Sequence, residues 1–249
     1  MEVVLGFLIA ALIALTGVGA GTITAPMLIL FLHVPVPEAV GTALVYSAAV
    51  KLVVVPVQIW RRLVDWRTLG VMLITGIPGV VIGVFFFQKL VRGQGNTLWL
   101  YLALGLMIVL SSAWHIYRHF RPAARERSAD RPRWLAAMML PIGAEVGFSS
   151  SGAGALGTLA LLGLTPLEVP RVVGTDLCFG LCLALIGGGL HLSQGGVDAT
   201  LLTHLILGGV AGALVGTGIA PRIPARAMRL ALSVWLLALG MQLCWQGVH

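Results

Sequence analysis

The chain has 249 residues, 58% of them hydrophobic and 10% charged, with mean hydropathy +0.98 and net charge +7. Soluble domains carry about 25% charged residues, and a soluble core cannot bury this much apolar surface, so the composition excludes an ordinary globular fold and points to a bilayer. The basic residues gather in short loops beside apolar runs, where they set membrane orientation, and nucleic-acid binding is not what the positive charge implies.

Eight apolar stretches follow in chain order, at about 3–32, 38–60, 68–88, 97–117, 134–164, 170–192, 199–220 and 227–246. Each is long enough to cross about 30 Å of hydrocarbon as a helix. Val3 onward has neither a basic leader nor a small-residue cleavage site and reads as mature protein. The first stretch is interrupted by Gly17-Val18-Gly19-Ala20-Gly21, with Pro26 beyond, and the fifth by Gly147 to Gly154, with Ser149, Ser150 and Ser151 inside. Glycine and serine clusters are poor mid-helix material. Each broken stretch is either one kinked helix or two half-helices folded as a re-entrant hairpin, since pieces of about 11 to 14 residues span only about 16 to 21 Å. The only sizeable polar stretch, about Arg118 to Arg133, lies between the fourth and fifth stretches.

The chain repeats itself. Residues 19–83 lie on 152–216 at a constant offset of 133, with seventeen identities. Gly19-Ala20-Gly21 matches Gly152-Ala153-Gly154, Val40-Gly41-Thr42 matches Val173-Gly174-Thr175, and Val64-Asp65 matches Val197-Asp198. Gly76, Gly79 and Gly83 match Gly209, Gly212 and Gly216, small-residue faces suited to close helix packing. The expected fold is therefore an all-α polytopic membrane protein. Residues 1–120 and 134–249 form two repeats joined by a basic connection over 121–133, and each repeat has a broken, re-entrant first segment followed by three transmembrane helices. Duplicated halves of this kind mark transporters.

The arginines bear on how the halves are related. If every stretch crosses once, nine basic residues lie on one side and six on the other. If the broken stretches return to their own side, Arg171, Arg222, Arg226 and Arg229 join the first group, and the split becomes thirteen to two. The positive-inside rule favours the second arrangement. Each half then crosses three times, the repeats are inverted, the 121–133 connection is cytoplasmic and both termini lie outside.

Helices restarting at Gly19–Gly21 and Gly152–Gly154 would present free N–H groups and positive dipole ends, the elements of an anion site. Gly19, Ala20, Gly21, Thr22 and Thr24 would line it from one half, and Ser149, Ser150, Ser151, Gly152 and Gly154 from the other; the alternative is that the glycines only permit a kink or tight packing. Thr42 and Thr175 are substrate-binding candidates that could equally bond within their own helices. Lys51 is the one basic residue deep in a span, suited to an anion, unless it snorkels toward Arg61. Glu145 and Asp176 are candidates for proton coupling. His191 and Gln58 hold corresponding positions near helix ends and read as interfacial, and Asp65 and Asp198 read as N-caps. Cys178, Cys182 and Cys244 form no disulfide framework; the first two share a helix face and read as packing residues or as a thiol carrier. The chain has no Walker motif, no Gly-x-Ser-x-Gly and no metal-ligand spacing, so no enzyme, cofactor or metal is expected.

Gly17-Val-Gly-Ala-Gly-Thr-Ile-Thr-Ala-Pro26, Pro37-Glu-Ala-Val-Gly-Thr-Ala-Leu44, the second copy through Val173-Gly-Thr-Asp-Leu177, and Gly216 with Arg222, Arg226 and Arg229 resemble the sulfite exporter TauE/SafE family over nearly the whole chain. The copies here read Gly-Ala-Gly where the family commonly has three glycines, Leu159 stands where Pro26 stands in the first copy, and Ala43 and Asp176 stand where a serine is common. The resemblance implies a secondary transporter in the bacterial inner membrane, moving sulfite, sulfoacetate or another organosulfonate by alternating access around a midplane site. A small anionic substrate, membrane lipid and coupling protons are the expected partners, and homo-oligomerisation is left open. The alternatives from other classes are a membrane accessory or thiol-carrier protein, and an anion channel.

Overall fold

The computed structural model describes residues 1–16, 20–93, 98–120, 131–150, 156–219 and 225–248. These form ten helices: α1 Glu2–Thr16, α2 Ala20–Leu32, α3 Val36–Trp60, α4 Trp66–Gly93, α5 Leu98–Phe120, α6 Pro132–Ser149, α7 Leu156–Leu164, α8 Val169–Ser193, α9 Ala199–Ile219 and α10 Ala225–Val248. No strand occurs among the described residues. The two interrupted stretches are each divided, α1 from α2 and α6 from α7. The second division comes later than the composition suggests: Gly147 and Ser149 are still helical, and α6 ends at Ser150 in the left-handed conformation (φ 61°). α6 also begins at Pro132, so the end of the basic connection is already helical.

Four helices, Val36–Trp60, Trp66–Arg92, Val169–Ser193 and Ala199–Ile219, are long and apolar enough to cross a membrane. Ile74 on α4 and Leu207 on α9 are 72% and 63% exposed, large apolar groups that only lipid would solvate favourably. The protein is a multi-pass helical membrane protein. Trp60 and Trp66 are exposed where α3 gives way to α4, Trp99 and Trp134 where α5 and α6 begin, and Trp245 near the end of α10, the level at which an amphipathic ring meets headgroups.

Contacts recur in pairs separated by 133 residues. α1 runs parallel to α9: Gly208 abuts Val3, Gly212 abuts Phe7 and Gly216 abuts Ala11. α6 runs parallel to α4 in the same way: Gly79 abuts Leu140, Gly83 abuts Ala144, and Thr75, standing where α9 has Gly208, donates to the Ala136 carbonyl at 2.6 Å. Gly76 lies under the Phe179 ring and Gly209 under the Tyr46 ring. A Cβ at most of these glycines would strike backbone, so the small residues are what let the axes approach. Tyr46 spans to α1, its hydroxyl donating to the Gly6 carbonyl at 2.5 Å.

α3 and α8 form the central pair and run antiparallel. Gly41, near the start of α3, meets Gly196 just past the end of α8, while Gly174, near the start of α8, meets Leu63 just past the end of α3, and Gly188 packs on Val45. α3 runs parallel to α9, with Thr42 at Asp198 and Tyr46 at Gly209. The turn after α3 carries Arg62 at φ 57° and the turn after α8 carries Gly195 at φ 74°, corresponding positions in the two copies. α5 pairs with α10, Gly105 against Cys244 and Gly240 against Val109.

Candidate functional site

The α3–α8 pair holds the charged interior. Lys51 is 3% exposed and Asp176 2% exposed, the only buried Lys, Arg, Asp or Glu among the described residues. Lys51 Nζ donates to Ser47 Oγ at 2.9 Å, one turn back on α3, so the ammonium is retained inside the helix pair and does not snorkel toward Arg61. Asp176 lies close enough for its carboxylate to attract that ammonium. Antiparallel packing brings this about, because Lys51 is nine residues before the end of α3 and Asp176 seven after the start of α8.

Asp176 also meets the first turn of α7. Thr158 Oγ1 donates to Asp176 Oδ2 at 2.7 Å, and Asp176 Oδ1 sits where a Cβ on Gly157 would be. A carboxylate is thus seated against the start of a half-helix, where the positive end of the dipole favours an anion. Thr158 and Gly157 were not singled out by their local sequence. Their signal lies in the repeat, where Thr158 and Asp176 stand opposite Ala25 and Ala43, both buried.

The Gly-Thr pairs make a reciprocal clasp. The Thr175 hydroxyl accepts the Asp65 N–H at 2.9 Å, and the Thr42 hydroxyl accepts the Asp198 N–H at 3.3 Å. Each threonine, fully buried, holds the start of a helix from the other half, and the adjoining Gly41 and Gly174 let the loop backbone come close enough. Among the described residues each of these hydroxyls acts as an acceptor and neither donates back within its own helix, so each hydroxyl proton can still be donated. Asp65 caps α4, accepting Thr68 N–H at 2.9 Å, and Asp198 caps α9, accepting Thr200 and Leu201 N–H at 2.9 and 3.0 Å. The bonds from Thr68, with Arg171 and Arg67 nearby, hold the Asp65 carboxyl below the usual carboxylate range against the opposing effect of partial burial.

At the second break, Ser149 Oγ donates back to the Glu145 carbonyl at 2.9 Å. Ser150 is 6% exposed, and its Oγ has no hydrogen-bond partner among the described residues. A buried, unsatisfied hydroxyl on a residue held in the left-handed region combines two unfavourable features at one position. Glu145 is partly buried on α6. In the first half, Thr24 is fully buried on α2, while Ala20, Gly21 and Thr22 form its first turn. Gly19, Ser151, Gly152 and Gly154 lie outside the described residues. His191 corrects the interfacial reading: it is 3% exposed, with Nε2 3.3 Å from the Gly147 carbonyl and the Phe87 ring edge-on at 5.5 Å. The Gly147 carbonyl of α6 and the Phe87 ring of α4 enclose the imidazole. Cys178 and Cys182 are unbridged on α8.

Residues 3–243 match the family described as Sulfite exporter TauE/SafE. The chain is 28% identical to "Probable membrane transporter protein YjnA" of Bacillus subtilis (strain 168), over 97% of this chain and 98% of the relative. It is 26% identical to "Probable membrane transporter protein YdhB" of the same organism, over 91% of this chain and 92% of that protein. It is also 26% identical to a "Probable membrane transporter protein" of Xylella fastidiosa (strain 9a5c), over 88% and 84%. No solved structure matches. A helical membrane scaffold with a charged interior, matched to that family over nearly its whole length, belongs to the sulfite exporter TauE/SafE family.

Proposed function

We propose that the protein is a secondary transporter, working as an exporter, of a small sulfur-containing anion such as sulfite, sulfoacetate or another organosulfonate. The carrying observation is Lys51, an ammonium buried between α3 and α8 where the two halves meet. An ionisable group at such depth in a membrane protein marks a substrate or ion path. Ser150, buried with an unpartnered hydroxyl at the end of α6, supports an anion site at the second break. Gly19, Ala20, Gly21, Thr22 and Thr24 from one half, and Ser149, Ser151, Gly152 and Gly154 from the other, complete the proposed lining, with Thr42 and Thr175 able to donate to it. Glu145 and Asp176 are the coupling candidates.

Helix directions support inverted repeats with re-entrant hairpins. α1 and α3 both run parallel to α9, so they point the same way, and the chain must return through α2 between them. α6 and α8 both run parallel to α4, which gives α7 the same task in the second half. The corresponding helices α3 and α8 are antiparallel, as an axis in the membrane plane requires. In this arrangement the two termini are periplasmic, the basic loops are cytoplasmic, and one half rocks against the other across the α3–α8 pair.

Thermal unfolding of the purified protein against a panel of sulfite, sulfoacetate, methanesulfonate, sulfate and chloride tests the assignment. Sulfur anions of the first group should stabilise the wild type by about 3 kcal/mol at a hundredfold excess over Kd, and Lys51→Ala should abolish the shift. Stabilisation that survives in Lys51→Ala removes the lysine from the site.

A further inference from the structure

Lys51 and Asp176 break the symmetry of a scaffold that is otherwise duplicated. Opposite Lys51 stands Ala184, and opposite Asp176 and Thr158 stand Ala43 and Ala25. All three alanines are buried, at 1%, 0% and 1% exposure. The fold is therefore served by alanine at each of these positions, and packing does not call for the charges. Taking two ions out of water is unfavourable by several kcal/mol per ion, which good geometry only roughly offsets. The pair is retained for something other than the fold.

We infer that Asp176 is the proton carrier of this transporter, taking up one proton each time an anion binds at Lys51 and releasing it when the anion leaves. The inference rests on the transport reading above. With the site empty, the carboxylate and ammonium sum to zero charge. A monovalent anion at Lys51 would leave a net negative charge in a low-dielectric interior, which is strongly unfavourable unless neutralised. Protonating Asp176 restores neutrality, and Thr158 Oγ1, 2.7 Å from Asp176 Oδ2, can serve the carboxylate as donor or the carboxylic acid as acceptor. The groups around Asp176 leave it as the site of that proton. α3 brings Lys51, which must stay charged to hold the anion; α7 brings Thr158; α4 carries its charges only toward its ends, at Arg67, Lys89 and Arg92. α6 brings Glu145, which is less buried than Asp176, and α8 itself brings Cys178, Cys182 and, four turns on, His191. The proton enters from the solution on the loading side and leaves on the other, so anion and proton travel together, a monoanion moves without net charge, and export proceeds whenever the outward anion gradient exceeds the inward proton gradient.

Methanesulfonate is the probe, because its own charge is constant across the neutral range. In wild-type proteoliposomes, an inside-alkaline gradient of one pH unit should accumulate it about tenfold, and its Kd should rise about tenfold per pH unit. Clamping the membrane potential should leave the accumulation unchanged. Asp176→Asn, a neutral isostere, should equilibrate methanesulfonate to a ratio near one whatever its rate, and Asp176→Glu should restore accumulation. Accumulation by Asp176→Asn equal to wild type overturns the inference. If that variant does not fold, a wild-type Kd independent of pH overturns it alone. Absence of flux with both methanesulfonate and sulfite would instead overturn the transport reading, a separable result.

Discussion

Alanine at Gly212 is the sharpest test of how the helices are held. A Cβ there would meet the Phe7 carbonyl oxygen well inside contact distance, with the carbonyl carbon at 2.9 Å and Phe7 Cα at 3.0 Å. Gly79 would meet Leu140 in the same manner, with the Ala144 nitrogen at 3.1 Å. Ordinary contacts are about 3.5–4 Å, and the obstacle in each case is backbone, so α1 must move about 0.5–1 Å from α9, or α6 from α4. Overpacking of this kind costs about 1–3 kcal/mol. At about 2–4 °C per kcal/mol, each variant should melt roughly 2–12 °C below wild type in detergent, followed by tryptophan fluorescence. Gly70→Ala and Gly189→Ala are the controls, since an added Cβ meets nothing within 4 Å at either position. Their melting should be unchanged or slightly raised by the gain in helix propensity. Wild-type melting of both Gly212→Ala and Gly79→Ala would refute the parallel packing from which the hairpin topology is argued.

Thr42→Val and Thr175→Val should each destabilise by about 1 kcal/mol, one lost, partly buried bond from an aspartate N–H, and by similar amounts because the two clasps correspond; denaturant midpoints check this. Asp65→Ala should cost about 1 kcal/mol through the lost cap. Because the Asp65 carboxyl is held below its ordinary range when folded, its contribution is full above that range and fades as pH falls through the folded value, so the gap between Asp65→Asn and wild type should close on acidification. Ser150→Gly relieves left-handed strain and removes an unsatisfied hydroxyl, so it should raise stability by about 1 kcal/mol while weakening anion stabilisation in the same melting assay.

Much of the fold was legible in the sequence because a bilayer imposes simple rules. Apolar length gives the spans, and glycine clusters mark where α1 is divided from α2 and α6 from α7. The offset of 133 identifies the partner of each packing glycine, although nothing local in Gly79 says that it meets Leu140. Asp65 and Asp198 were readable as caps because capping is a local interaction. The clasp that joins Thr175 to Asp65 was not, since it links residues 110 apart in the chain. Lys51 declared itself by being charged in an apolar run, but its proximity to Asp176 depends on the antiparallel crossing of α3 and α8, which periodicity does not encode. His191 was misread for a similar reason. Position near a helix end suggests an interface, whereas Gly147 of α6 and Phe87 of α4, distant in the chain, enclose the ring.

Counterflow most directly tests a carrier against a channel. Proteoliposomes loaded with unlabelled sulfite and diluted into labelled sulfite should take up label transiently above equilibrium, and Lys51→Ala should remove the overshoot. A secondary transporter with one alternating site gives that overshoot. Label that rises only to equilibrium, unaffected by sulfite on the far side, would contradict the account.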